Sequence, residues 1–238
     1  MGNQELSTAL RSRLQLSYPP VALAFVGQQP GGISRTETLA PSPCGFWRQA
    51  EKGVFYAAAE DHFNCPVGSY VMGFDLPEQQ MQKLMEEIGF MGASTYVKEA
   101  EVPNIPKVGS PSAGIVYGPL SQFPQDPDVV LLWVTPQQSM VLNEALGKID
   151  WSAQPQTVFG RPGCAAVPYA MQGNTAALSL GCTGMRQNTE IPGEYFLMTV
   201  SKAQLASLEE KLFAITELHQ GVKDYYRQRA AKSSSVRG

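Results

Sequence analysis

Histidine, cysteine, charge and long apolar runs are all scarce in this chain, and each scarcity removes a class of protein. No apolar stretch approaches the ~18–20 residues that span a bilayer, so no membrane partner is expected. The first residues, "MGNQELSTALRSRL", lack the charged-then-apolar layout of a secretion signal. Leu6 stands where a myristoylation motif needs Ser or Thr. The P-loop, the dinucleotide fingerprint G-x-G-x-x-G and the nucleophile elbow G-x-S-x-G are absent, and with them support for an NTP-using enzyme or a serine hydrolase. Charged residues make up 16% of the chain and sum to −3, which leaves no electrostatic case for nucleic acid as a partner. These absences lead to the expectation of a cytoplasmic protein. In that compartment disulfides are the less expected use of cysteine, and metal binding or thiol chemistry gains weight.

What is present is a large apolar inventory. Over 238 residues, 43% are hydrophobic, enough for one domain with a substantial core. Residues 1–226 read as that domain, and the basic, apolar-poor end at 227–238 reads as a disordered tail. Leu6, Leu10 and Leu14 share one face of a first helix over residues 4–16. "VALAFV" (21–26), "VFYAAA" (54–59), "GIVYGPL", "DVVLLWV" (128–134), "AALSLG" and "EYFLMTV" are the candidate strands. Pro77 opens a helix that Gly89 should close. A second begins at Thr135-Pro136 with Gln138 completing a capping box, and Gly147 stops it. A long last helix is expected to start with a box of Ser201 and Gln204. Its stripe Leu205, Leu208, Leu212, Ile215, Leu218, Val222, Tyr225 has the 3–4 spacing of a buried face. Strands and helices alternate without a regular βαβ rhythm, so the fold class is α+β or mixed α/β.

The four cysteines fall in two segments with similar layouts. Cys44 is followed after nine residues by Gly53, a strand and Cys65; Cys164 is followed after nine by Gly173, a strand and Cys182. An apolar strand of the same kind precedes each. This suggests a duplicated unit, about 18–75 and 126–190, forming two related strand–helix–strand halves packed about an approximate two-fold axis. Such an axis would bring the four thiols together.

Four converging thiolates hold a [4Fe–4S] or [2Fe–2S] cluster, or a tetrahedral zinc. Structural zinc sites draw on close C-x₂₋₄-C pairs, which this chain lacks. The leading expectation is a [4Fe–4S] cluster on Cys44, Cys65, Cys164 and Cys182. Gly163 and Gly181, each just before a cysteine, let backbone N–H groups approach cluster sulfurs. Arg161 and Arg186 either tune the cluster's potential with positive charge, hold an anionic ligand beside it, or serve only as surface ion-pair partners. His62, three residues before Cys65, either replaces a ligand, bonds to one, or is an ordinary loop residue; His219 falls at the edge of the core on the last helix. Buried structural cysteines remain a competing account. So do a metal-free small-molecule module with a pocket between the halves, near "FGRPG" and Tyr169, and a thiol redox enzyme using Cys164 and Cys182. The expected partner is a redox protein or a small molecule, with room left for a homo-oligomer.

Taken together, "YPPVALAF", the lone Cys44 before a short helix, "FNCPVGSYVMG", "IVYGPL", "GRPGCAAVP" and "SLGCTGMR" resemble the uncharacterised prokaryotic domain-of-unknown-function family numbered 169. The resemblance covers nearly the whole chain except 90–112. It implies a shared fold and a site on the cysteine-bearing segments, and it implies no reaction.

Overall fold

The computed structural model describes residues 2–94, 98–147 and 158–235. Parts of two expectations, the second repeat unit at 148–157 and the tail at 236–238, lie outside the described residues.

A seven-stranded sheet organises the chain. Its strands are β1 (Val21–Val26), β2 (Phe55–Ala58), β3 (Gly114–Pro119), β4 (Val129–Val134), β5 (Val158–Phe159), β6 (Ala176–Ser179) and β7 (Phe196–Ser201). They lie in the order β2-β3-β1-β4-β7-β6-β5. Every neighbouring pair is antiparallel except β5 with β6.

Helices cover both faces, which explains why the central strands are apolar throughout rather than alternating. On β1, Ala22 and Ala24 enter one core while Val21 and Leu23 enter the other; on β4, Val130, Leu132 and Val134 oppose Val129, Leu131 and Trp133. Because side chains alternate across a strand, an all-apolar strand needs two dry faces.

On the first face lie α1 (Asn3–Leu14), α5 (Pro136–Ala145) and the start of α8 (Lys202–Ser235). Leu6, Leu10 and Leu14 of α1 are buried there beside Leu142 of α5 and Leu205, Leu208 and Leu212 of α8. On the second face lie α2 (Pro43–Gln49), α3 (Pro66–Val71), α6 (Ala166–Gln172) and α7 (Thr183–Thr189). They contribute Phe46 and Trp47, Val71, Val167 and Ala170, and Met185 to the other core. The mixed α and β architecture with a long C-terminal helix agrees with the sequence reading.

Three local expectations need correction. The helix opened by Pro77 is α4 (Glu78–Ala93) and runs past Gly89. A glycine inside a helix costs only about 1 kcal/mol relative to alanine, and here that does not end the helix. The Ser201–Gln204 box does not form: the Ser201 hydroxyl is buried without a hydrogen-bond partner, and Gln204 Nε2 donates to the Asn174 carbonyl at 2.9 Å. The stripe on α8 is core only as far as Leu212, with Ile215 half-buried. Leu218, Val222 and Tyr225 are 59%, 47% and 60% exposed, because the helix outruns the sheet it packs on. It stays helical through Ser235, into the segment whose composition favoured disorder.

By contrast, the Thr135 cap forms as read. Thr135 Oγ1 accepts from the Gln138 amide, the Gln138 side chain accepts from the Thr135 amide at 2.8 Å, and Gly147 ends the segment at φ +65°.

Candidate functional site

Each cysteine stands at the start of a helix on the second face. Cys44 is the second residue of α2, after Pro43 at a position where a missing N–H costs nothing. Cys164 lies in the single 3-10 turn Gly163–Ala165 that leads into α6. Cys65 and Cys182 are the N-caps of α3 and α7, and their sulfurs do what a Ser or Asp oxygen usually does. Cys65 Sγ accepts from the Gly68 amide at 3.3 Å, and Cys182 Sγ accepts from the Met185 amide at 3.4 Å.

Three close contacts gather these turns. A Cβ on Gly68 would lie 2.8 Å from Pro43, so the Cys65 turn sits directly on the Cys44 turn. A Cβ on Gly163 would lie 3.1 Å from the Cys182 amide nitrogen and 3.2 Å from Gly181 Cα, so the other two turns meet glycine to glycine. Gly181 itself adopts φ +79°, a left-handed conformation that glycine adopts without penalty. Between the two pairs, Asn188 Nδ2 of α7 donates to Ser42 Oγ at 2.9 Å, and Ser42 Oγ lies 2.8 Å from Cys44 Sγ.

All four cysteines consequently line one cavity of about 620 Å³. Arg161 is on its exposed edge. Arg186 points elsewhere: its Nη2 donates to the carbonyls of Leu180 and Tyr195 and braces the loop before Cys182. Gly163 and Gly181 shape the turns from behind the wall. His62 is fully buried, with Nδ1 hydrogen-bonded to the Ala58 carbonyl at 2.7 Å and Nε2 to Tyr117 Oη at 3.0 Å. Both ring nitrogens are therefore occupied by protein, which removes it as a candidate ligand. His219 pairs with Glu144 of α5.

Burial governs the thiols. It pushes the Cys44 thiol up to about 12 and the Cys65 thiol up to about 11, against opposing hydrogen bonds from Ser42 and the Gly68 amide respectively. Burial also holds Cys164 well above the usual range, and the neighbouring thiols of Cys65, Cys182 and Cys44 add to it. Thiols so placed resist carrying charge unless a cation shares the cavity. Among the described residues, no group of three or more His, Cys, Asp or Glu side chains is placed to hold a metal ion. A single zinc draws its sulfurs within ~2.3 Å of one point. A cluster presents a separate iron to each thiolate and lets them stand further apart.

Sequence reasoning missed two things here. Cysteine is not among the preferred helix caps, so α3 and α7 went unrecognised, although the Cys65-Pro66 pair carries the signature of proline at the first helical position. The contribution of α4 and residues 99–105 to the cavity had no sequence signal, since those residues carry no chemical motif.

The fold and site define an α+β protein whose cysteines share one cavity wall. A family profile matches residues 9–211, and the chain belongs to that family, DUF169, described as "Uncharacterised ArCR". Comparison with curated proteins and with solved structures found no match. Among the described residues, no helix is long and apolar enough to cross a membrane.

Proposed function

We propose that this chain binds one iron–sulfur cluster through Cys44, Cys65, Cys164 and Cys182. The carrying observation is that the chain has four cysteines and all four line one cavity, although up to 138 residues separate them (182 − 44). Cysteines that only filled the core would have no reason to share a wall. A thiol redox pair needs a stabilised thiolate, and burial raises the Cys164 thiol instead. The single-zinc account needs ligands drawn to one point, and the wide cavity favours a multi-iron core.

The duplication belongs to the same proposal. With α4 left out of the first half and α5 and β5 left out of the second, the series β1–α2–β2–α3–β3 has the same order as β4–α6–β6–α7–β7. Under that pairing, the sheet order β2-β3-β1-β4-β7-β6 reads the same from either side of the antiparallel β1–β4 contact. A two-fold axis through that contact keeps each sheet face on its own side. Both cysteine-bearing helix pairs then fall on one face. The repeat so defined extends beyond the 18–75 and 126–190 segments to take in β3 and β7.

With four cysteine ligands the cluster serves electron transfer or redox sensing in the cytoplasm, with a redox protein as partner. With three it leaves an iron open to a substrate. The test is iron and acid-labile sulfide content, with a visible spectrum, on protein made and kept without oxygen. About four irons and four sulfides per chain, with absorbance that bleaches on reduction, is the expected result. Single Cys→Ser changes at the four positions should each lower it. Folded protein with neither iron nor sulfide would overturn the reading and favour a metal-free ligand module using the same cavity.

A further inference from the structure

The cavity reaches well beyond the four sulfurs. α4, packed beside α3, also lines it, and its Leu84, Ile88 and Met91 lie at i, i+4 and i+7 and so form one apolar stripe. Val102 and Ile105 extend that lining from the 3-10 turn that follows. Leu84 and Ile88 are 4% and 8% exposed, so they face the cavity or the core rather than bulk water. The volume, about 620 Å³, falls in the ~300–1,000 Å³ range of small-molecule sites. The cavity opens to solvent past the exposed Phe90 and Gly184, and its lining is mostly apolar, so an apolar ligand entering it gains by leaving water.

We propose that the cavity lined by α4 and the four cysteines is a binding chamber for a small, uncharged, apolar molecule, which lies against the cluster. The placement against a cluster rests on the iron–sulfur reading; the chamber itself stands on its walls. The chemistry of those walls selects the ligand class. Apart from the Ser42 hydroxyl, their buried members are apolar side chains, thiols and backbone, and the charged lining residues, Glu87 and Arg161, are both exposed at the edge. Ser42, the buried polar side chain of the wall, is already engaged by Asn188 Nδ2 and lies beside Cys44 Sγ. A charged ligand would lose its hydration without meeting a buried counter-charge, whereas an apolar one gains by leaving water. The α4 stripe is therefore the specificity-determining wall, and cysteine replacement should not abolish binding.

The test titrates N-phenyl-1-naphthylamine, an uncharged fluorescent probe, into anaerobic iron-loaded protein and into metal-free protein. Met91→Trp and Ile88→Trp fill the chamber. Met91 is only half-buried, so its variant keeps the test valid if Ile88→Trp does not fold. Saturable binding of about one probe per chain is expected, weakened at least tenfold by Met91→Trp with iron and sulfide content unchanged. The sulfonated relative, 1-anilinonaphthalene-8-sulfonate, should bind at least tenfold more weakly. Quenching of the bound probe in iron-loaded relative to metal-free protein would support its contact with the cluster, and equal emission would overturn that contact. No saturable binding, or binding indifferent to both tryptophans, would overturn the chamber even in protein with a full cluster. Equal affinity for the sulfonate would overturn the uncharged class. Tryptophan-sensitive binding to protein that never holds iron would support the chamber and overturn the cluster.

Discussion

Asn188 and Ser42, 146 residues apart, form a hydrogen bond of 2.9 Å whose acceptor lies 2.8 Å from Cys44 Sγ. Ser42 Oγ accepts from Asn188 through one lone pair, which leaves its hydrogen available to the sulfur. That hydrogen bond favours the thiolate, and it opposes the burial that raises this thiol. The bond thus joins α7, which Cys182 caps, to the turn that carries Cys44.

Asn188→Ala should leave the fold intact, lose about 1 kcal/mol of stability, and speed loss of the cluster in air. Asn188→Asp should be worse, because a carboxylate cannot donate to Ser42 and adds negative charge beside thiolates. Denaturant midpoints and the rate of visible bleaching measure both. Equal bleaching in the three proteins would show that the bond does not position Cys44.

Gly181→Ala places a side chain at φ +79°, with its Cβ 2.4 Å from Met185 Cε. The left-handed backbone alone costs about 1–2 kcal/mol; the Met185 tip can yield. Gly184→Ala is the control, since its Cβ would meet nothing within 4 Å and lies on α7, where alanine is favoured. The first variant should melt several degrees lower and hold less iron. The second should melt at or slightly above the wild type.

His62 makes stability depend on pH. Burial lowers its pKa from 6.5 to about 4, among the rings of Phe46, Phe74 and Tyr117. Above about pH 6.5 the residue is neutral folded or unfolded and contributes no slope. As pH falls from about 6.5 towards about 4, the unfolded chain takes up a proton that the folded chain refuses, so stability is lost across that window. The full loss is on the order of 3 kcal/mol, at 1.36 kcal/mol per unit. His62→Gln should lower stability at pH 7 yet flatten this dependence. Urea midpoints between pH 4 and pH 7 would read it, and parallel slopes would refute it.

Alkylation of metal-free protein should be slow. A thiol raised from 9.0 to about 12, as at Cys44, presents about a thousandfold less thiolate at neutral pH than an unshifted one. Mass-resolved iodoacetamide labelling should find Cys44 and Cys164 far slower than the same residues in urea, with the Cys44 rate rising with pH. A fast Cys164 would revive the thiol redox account.

Much of the fold was legible because its signals are local. The strands β1, β4 and β7 stood out as short apolar runs. Thr135, Gln138 and Gly147 marked both ends of α5, since caps involve residues within one turn. Local signals misled in different ways. Gly89 was too weak a breaker to end α4, and a distant contact, Asn174, drew Gln204 away from its cap. The Leu218–Tyr225 stripe has the spacing of a core face but extends beyond the body that would bury it. The two-residue β5 is too short to leave a pattern.

The sequence by itself determined many of the local pieces: the apolar strands β1, β4 and β7, the cap and stop of α5, and that each cysteine sits beside a turn built on glycine or proline. These follow from backbone sterics and side-chain period, which act over a few residues. Only the tertiary structure decided that the four cysteines line one cavity and that α4 adds an apolar stripe to it. The antiparallel pairing of β1 with β4, and the packing of Gly68 on Pro43 and of Gly163 on Gly181, produce that arrangement. Such contacts join residues far apart in the chain, and no local pattern records them.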